Sequence, residues 1–210
     1  MKSNSIALGD RHYEGSYNRL AIAGDATITN SEVNKVYCAG DLVITRSSIR
    51  NLKFAGDLVA DTFTVGMLRG AGDATLSGIC KVDNCLMLGN IECDMLECVI
   101  MQNGPDSEKI MTKSNRTPTW SGVFKGETFE NFGELDVDGE LDFKNIILSH
   151  PLSINSEISC ENFYLLGGLT FGSVNAEKAF ILASSNVKLD SITGGTITVK
   201  KAFKPDKEFK

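Results

Sequence analysis

The chain is poor in the features that mark most function classes. No run of about 18 apolar residues occurs in its 210 residues, so no membrane-spanning helix is expected. Met1–Asp10 (MKSNSIALGD) lacks the apolar stretch of a signal peptide. There are only four prolines and aromatics are 8%, and nothing in this composition suggests a disordered tail. Lysine and arginine number 21 against 27 acidic residues, a net charge of −6. That balance lacks the basic excess that phosphate backbones require, so nucleic acid is not an expected partner. Six cysteines without a secretion signal suggest a reducing compartment, and the expected location is cytoplasmic.

What the chain does have is a repeat. The phrases AGDATI, AGDLVI, AGDLVA and AGDATL place Gly24, Gly40, Gly56 and Gly72 at intervals of 16, and Gly89 in LGNIEC follows after 17. Within an interval the apolar residues come in pairs two apart, which on a strand share a face. After Gly40 they are Leu42/Ile44, Ser47/Ile49 and Leu52/Phe54, starting 5, 5 and 6 residues apart. Three short strands and three bends make one triangular coil. Stacked coils then give six inward columns. The first reads Ala26, Leu42, Leu58, Ala74, Ile91, and the second Ile28, Ile44, Ala60, Leu76, Cys93. The third reads Ser31, Ser47, Phe63, Ile79, Leu96, with the extra residue of that longer coil placed near Cys80 and Lys81. The last three begin at Val33, Val36 and Cys38 and end at Cys98, Met101 and Asn103.

The pattern predicts an all-β chain: one parallel β-helix (β-solenoid) domain over 1–210, with three-faced coils of about 16–17 residues. Regular coils occupy 20–103, an irregular excursion 103–122, and less regular coils 123–200, from Leu135/Val137 and Leu141/Phe143 to Ile197/Val199. Each fully buried apolar side chain contributes about 1.5–3 kcal/mol, and only once its coil has neighbours. A helix is excluded because pairs stepped by five do not hold a 3.6-residue face. The 5-5-6 step also differs from the six-residue step of left-handed hexapeptide helices. Whether the two halves make one stack or two is left open by the sequence.

The chemical motifs fit this register. Asp25, Asp41, Asp57 and Asp73 recur at one place per coil. Such a ladder either binds Ca²⁺ or makes the bend, each carboxylate accepting a local N–H; the bend is favoured because Ala23 and Leu42 supply no further oxygen ligands. Cys38, Cys85, Cys93 and Cys98 point inward in four different columns and read as small core residues rather than a zinc or disulfide site. His12 and His150 have no neighbouring nucleophile, and no G-x-S-x-G occurs. No enzyme activity, metal or cofactor is expected.

The stacked AGD-[LA]-x-[IL] units resemble the bactofilins, polymer-forming bacterial cytoskeletal proteins. The resemblance is clearest over Leu20–Asn103 and weaker over Gly133–Val199. It implies a right-handed three-faced β-helix that assembles end to end without nucleotide. Some members of that family bind membrane through a short N-terminal apolar segment. Met1–Asp10 is not such a segment, so membrane association is not expected. This chain also has more coils and lacks proline-rich tails.

The interruptions are where function is expected. Counting back one coil from Gly24 places Asp10, His12, Gly15, Tyr17, Leu20 and Ile22 in the columns, a poor fit at its start. Solenoid ends expose unpaired strand edges that invite another chain. The leading expectation is a non-catalytic scaffold that associates with itself through its terminal coils, with Tyr17, Ile22, Ile197 and Val199 at the contacts. The alternative is a monomeric module that binds a protein or glycan through the 103–122 segment, with Trp120 as anchor and Lys113 and Arg116 beside it.

Overall fold

The computed structural model describes residues 2–104, 117–150, 152–154, 157–166, 169–183 and 187–201. Among these there is no helix. Fourteen strands wind into one parallel sheet, a β-solenoid of about ten turns. In chain order they are β1 (Ser3–Ala7), β2 (Arg11–Ile22), β3 (Ala26–Cys38), β4 (Leu42–Thr45), β5 (Ser48–Phe54), β6 (Leu58–Gly70) and β7 (Ala74–Met87). There follow β8 (Ile91–Asn103), β9 (Thr119–Asn131), β10 (Leu135–Leu148), β11 (Leu152–Ile154), β12 (Glu157–Leu165), β13 (Leu169–Ala183) and β14 (Val187–Lys201). A long strand here runs round the bends of its coil, so β3 or β6 alone is nearly a whole turn.

The columns stack as their spacing predicts. Ala26, Leu42, Leu58, Ala74 and Ile91 are partners in register, as are Val36, Leu52, Leu68, Cys85 and Met101. All of them are buried. The second half continues the stack: Leu141 pairs with Ile158, Phe143 with Cys160, Ile146 with Phe163 and Leu148 with Leu165. Because β8 pairs with β9 in parallel, the two halves are one continuous sheet.

Three registers differ from the sequence reading. First, Arg11 and Tyr13, not Asp10 and His12, stand beside Ala26 and Ile28; a bulge at Glu14/Gly15 then restores the expected order at Tyr17. The true corner is Gly9-Asp10, only 15 residues before Gly24-Asp25. Second, Cys80 and not Ile79 fills the third column between Phe63 and Leu96. The extra residue of that coil sits at Gly78–Ile79, which leaves Ile79 65% exposed. Third, Thr119–Asn131 is a regular strand, so the excursion is confined between Asn103 and Thr119.

One bend has an unusual backbone. Asn30, Arg46, Thr62 and Gly78, each 16 residues apart, all have positive φ (45°, 48°, 50° and 68°). Glycine and asparagine accept this left-handed geometry readily, whereas arginine and the β-branched threonine do so at a cost of about 1–2 kcal/mol each.

Candidate functional site

The Gly-Asp corner is structural. A Cβ on Gly40 would lie 2.7 Å from the backbone of Gly24, and one on Gly56 would lie 2.6 Å from that of Gly40. Coils approach so closely here that only glycine fits. The following aspartate holds the next coil: Asp25 N–H donates to Asp10 Oδ1 (3.3 Å), Asp41 to Asp25 (2.9 Å), Asp57 to Asp41 (2.9 Å) and Asp73 to Asp57 (3.1 Å). Asn90 N–H donates to Asp73 Oδ1 in the same way at 2.8 Å, and Asn90 Oδ1 accepts Thr119 N–H at 2.8 Å. The acceptors therefore serve the neighbouring coil rather than their own bend, which corrects the local hydrogen bond expected from sequence. Charge-assisted bonds of this kind are the stronger ones. Among the described residues no group of three His, Cys, Asp or Glu side chains is placed to hold a metal ion.

The cysteines are core residues. Cys38, Cys80, Cys85, Cys93 and Cys98 are buried with free thiols. Burial pushes the thiols of Cys38 and Cys80 up, and that of Cys93 up to about 12. Cys98 is raised by its hydrogen bond with Cys85 and by burial. A neutral thiol is a poor nucleophile and a poor metal ligand.

Trp120 is not a surface anchor. Its strand places it between Ile91 and Val137, with no exposed surface, and its Nε1–H donates to Gly89 O at 3.1 Å. Its ring lies 5.8 Å from Phe124 and 6.0 Å from Phe129. Glycines at Gly122 and Gly126 make room: a Cβ on either would overlap a carbonyl of the coil before it. Burying the largest side chain of the chain stabilises the junction between the halves, and it removes the proposed hot spot from the surface. Lys113 and Arg116 lie outside the described residues.

The open ends remain. At the N-terminal end β1 covers only the later part of β2, pairing Ser5 with Leu20 and Ala7 with Ile22. Ile22 is therefore inside the stack, 5% exposed, and does not stand at the terminus. Tyr17 is half-buried, with its ring edge-on to Tyr13 at 5.5 Å; Tyr13 OH lies 3.4 Å from Ser5 Oγ. These two rings close the core over the half-coil that β1 leaves open. The exposed apolar residues at this end are Ile6 and Leu8, each 83% exposed. Among the described strands β1 pairs only with β2, so its other backbone edge is open. They line an apolar groove with Ala21, Ala23, Tyr37 and Ala39. At the far end Ile197 and Val199 stand on β14, in register with Ala179 and Ile181 of β13. Their side chains lie outside what is described.

Comparison with known proteins adds no relative: no family model, no curated protein and no solved structure matches this chain. The functional reading rests on the geometry alone.

The sequence reading missed two features of the surface. Ile6 and Leu8 are carried by a strand outside the coil then taken as the first; the alternation Ser5, Ile6, Ala7, Leu8 was its signal. The face formed by columns five and six carries Arg19, Lys35, Arg50 and Lys53, all exposed. Tyr37 lies among them, its ring centroid 5.2 Å from Arg19 Cζ and 6.0 Å from Lys53 Nζ. A net charge of −6 concealed that segregation.

Proposed function

We propose that this chain is a non-catalytic scaffold of cytoskeletal type, bactofilin-like in kind, that self-assembles through its terminal coils. The observation that carries the reading is the N-terminal edge: an open β-strand that bears Ile6, with Leu8 just beyond its end, 83% exposed each. Monomeric proteins blunt such edges with charge, proline, bulges or a covering element. Here the only such device is a register shift between Ser3 and Asn4; from Asn4 to Ala7 the strand carries no charge and no proline, no described element covers it, and its exposed Ile6 is aliphatic. A repeat architecture also favours this use, because a further copy buries a solenoid end in the way a further coil would.

The contact residues in this proposal are Ile6 and Leu8 at one end and the β14 segment with Ile197 and Val199 at the other. Sedimentation velocity tests it. The wild type is expected to form large species as concentration rises, and Ile6→Lys/Leu8→Lys to sediment as a monomer with an unchanged far-UV spectrum. A wild type that stays monomeric at high concentration would remove the proposed mechanism.

A further inference from the structure

The charge along the stack is unevenly placed. From Asp73 to Glu161 the sequence holds sixteen acidic and six basic residues, so the middle of the chain carries more negative charge than the whole. Before it, the outward positions of columns five and six read Asn18, Arg19, Ala21 and Ala23, then Asn34, Lys35, Tyr37 and Ala39, then Arg50, Asn51, Lys53 and Ala55. No carboxylate occurs among them. The ion pairs Lys2–Glu32, Lys81–Glu97 and Lys125–Asp142 all lie elsewhere. A sheet face with four exposed cations, and no carboxylate among these outward positions, is therefore matched by an acidic region on the same molecule.

We infer that this basic face docks side by side on the acidic face of a second copy, the patch formed by Glu92, Asp94, Asp136, Asp138 and Glu140. These carboxylates are exposed on β8 and β10, and Asp138 lies above Ser121, which lies above Glu92. Two coils thus separate Asp138 from Glu92, just as two separate Ala21 from Lys53. Both patches are ruled by the same coil rise of about 4.8 Å, so parallel stacks can bring several charge pairs into register at once. The patches occupy different faces of the triangular stack and different heights along it. The contact is therefore heterologous and staggered, and it propagates to further copies instead of closing into a dimer.

This inference rests on the scaffold reading; its face adjoins the end contact, since Ile6 stands over Ala21, Tyr37 and Lys53, but the two contacts differ in physics. Pairing at the β1 edge is backbone hydrogen bonding and apolar burial, which salt does not weaken. The lateral contact is between exposed charges, which about 1 M salt screens to a Debye length of about 3 Å.

The test combines electron microscopy with sedimentation, at low ionic strength and at about 1 M salt. The wild type is expected to associate laterally at low ionic strength and to lose that association in high salt, whether the species that remain are filaments or monomers. Lys35→Glu/Lys53→Glu and Asp138→Lys/Glu140→Lys should each raise the concentration needed for lateral association by about tenfold or more. Mixing the two variants should restore it, because each then offers the charge the other lacks. Restoration of this kind is not explained by damaged folding. Lateral association that is indifferent to salt and to both variants overturns the inference. So does unaltered lateral association together with loss, in Lys35→Glu/Lys53→Glu, of binding to phosphatidylserine vesicles or to oligo-dT, since the face would then serve an anionic partner. Failure of the end contact is read separately, from Ile6→Lys/Leu8→Lys in high salt.

Discussion

The first and second halves of the stack close the same corner with different chemistry. Each of these turns from the sixth column to the next coil takes three residues: Ala39–Asp41, Ala55–Asp57 and Ala71–Asp73 in the first half, Phe132–Glu134 in the second. In the first half the corner is held from outside, by carboxylates that accept the N–H of the next coil. In the second it is held from inside. Buried Asn103 donates to Asn131 Oδ1 at 2.9 Å and to the carbonyls of Gly133 (3.3 Å) and Glu134 (3.4 Å), and Asn131 donates to His150 O at 3.0 Å. Their amides occupy core positions that Cys38, Phe54 and Met87 fill elsewhere. Once the corner is satisfied internally, neither glycine nor aspartate is required there, and the sequence repeat fades while the fold continues.

The junction between these two chemistries is Trp120, and the largest effect is expected there. Trp120→Ala should cost about 3–5 kcal/mol, the usual range for a large buried aromatic. Because stability passes between neighbouring coils, calorimetry should show one transition in the wild type and two in the variant. A single transition at an unchanged temperature would mean that the halves are not coupled through this residue.

Corner glycines offer the next contrast. Gly56→Ala places its Cβ against the Gly40 backbone at 2.6 Å and should cost about 3 kcal/mol by overpacking. At Gly133 the nearest atoms to a new Cβ are at 3.6 Å, so Gly133→Ala should stay within about 0.5 kcal/mol of wild type. Equal effects in urea titrations would break the distinction between the two corners.

Hydrogen-bond deletions are smaller but ordered. Asn131→Ala removes two hydrogen bonds at the inner corner, leaving the buried Asn103 amide only the Gly133 and Glu134 carbonyls, and should cost about 2 kcal/mol. Asp41→Ala removes a bond at an exposed corner, where water replaces the carboxylate, and should cost about 1 kcal/mol. The reverse order in denaturant midpoints would contradict the inside-versus-outside account.

The thiols give the mildest test. Their values are raised in the folded chain, to about 12 for Cys93 and Cys160, from an ordinary 9.0. The unfolded chain thus releases protons that the folded chain keeps. Stability is full below about pH 9 and falls as pH rises from there toward 12. Replacing Cys93 with alanine should flatten that alkaline fall, and Ellman's reagent at neutral pH should label the five buried cysteines only on unfolding.

How much of this was legible in the sequence follows from the same contrast. The first-half columns were readable because Gly and Asp are both obligatory at their corner, at a fixed spacing. Gly9-Asp10 escaped because its coil is one residue short, and the bulge at Glu14/Gly15 that absorbs the difference has no sequence mark of its own. Ile79 was placed inside because an insertion at a bend fixes the length of a coil and not the position of its extra residue. The start of the Trp120 strand reads as the end of the 103–122 excursion because the residue two positions after Trp120 is Gly122, so a pattern keyed to aliphatic pairs passes over it. Ile6 and Leu8 were overlooked for a different reason: their importance depends on which strand is outermost, and that is a property of the stack.

The account's central claim is that the ends of this solenoid continue into further copies, and electron diffraction or cryo-electron microscopy of the assembled protein tests it most directly. The prediction is unbranched fibres one solenoid wide, or bundles of them, with an unbroken axial spacing of about 4.8 Å running through the contacts between copies. Discrete particles the length of a single stack, unchanged as concentration rises, would contradict it.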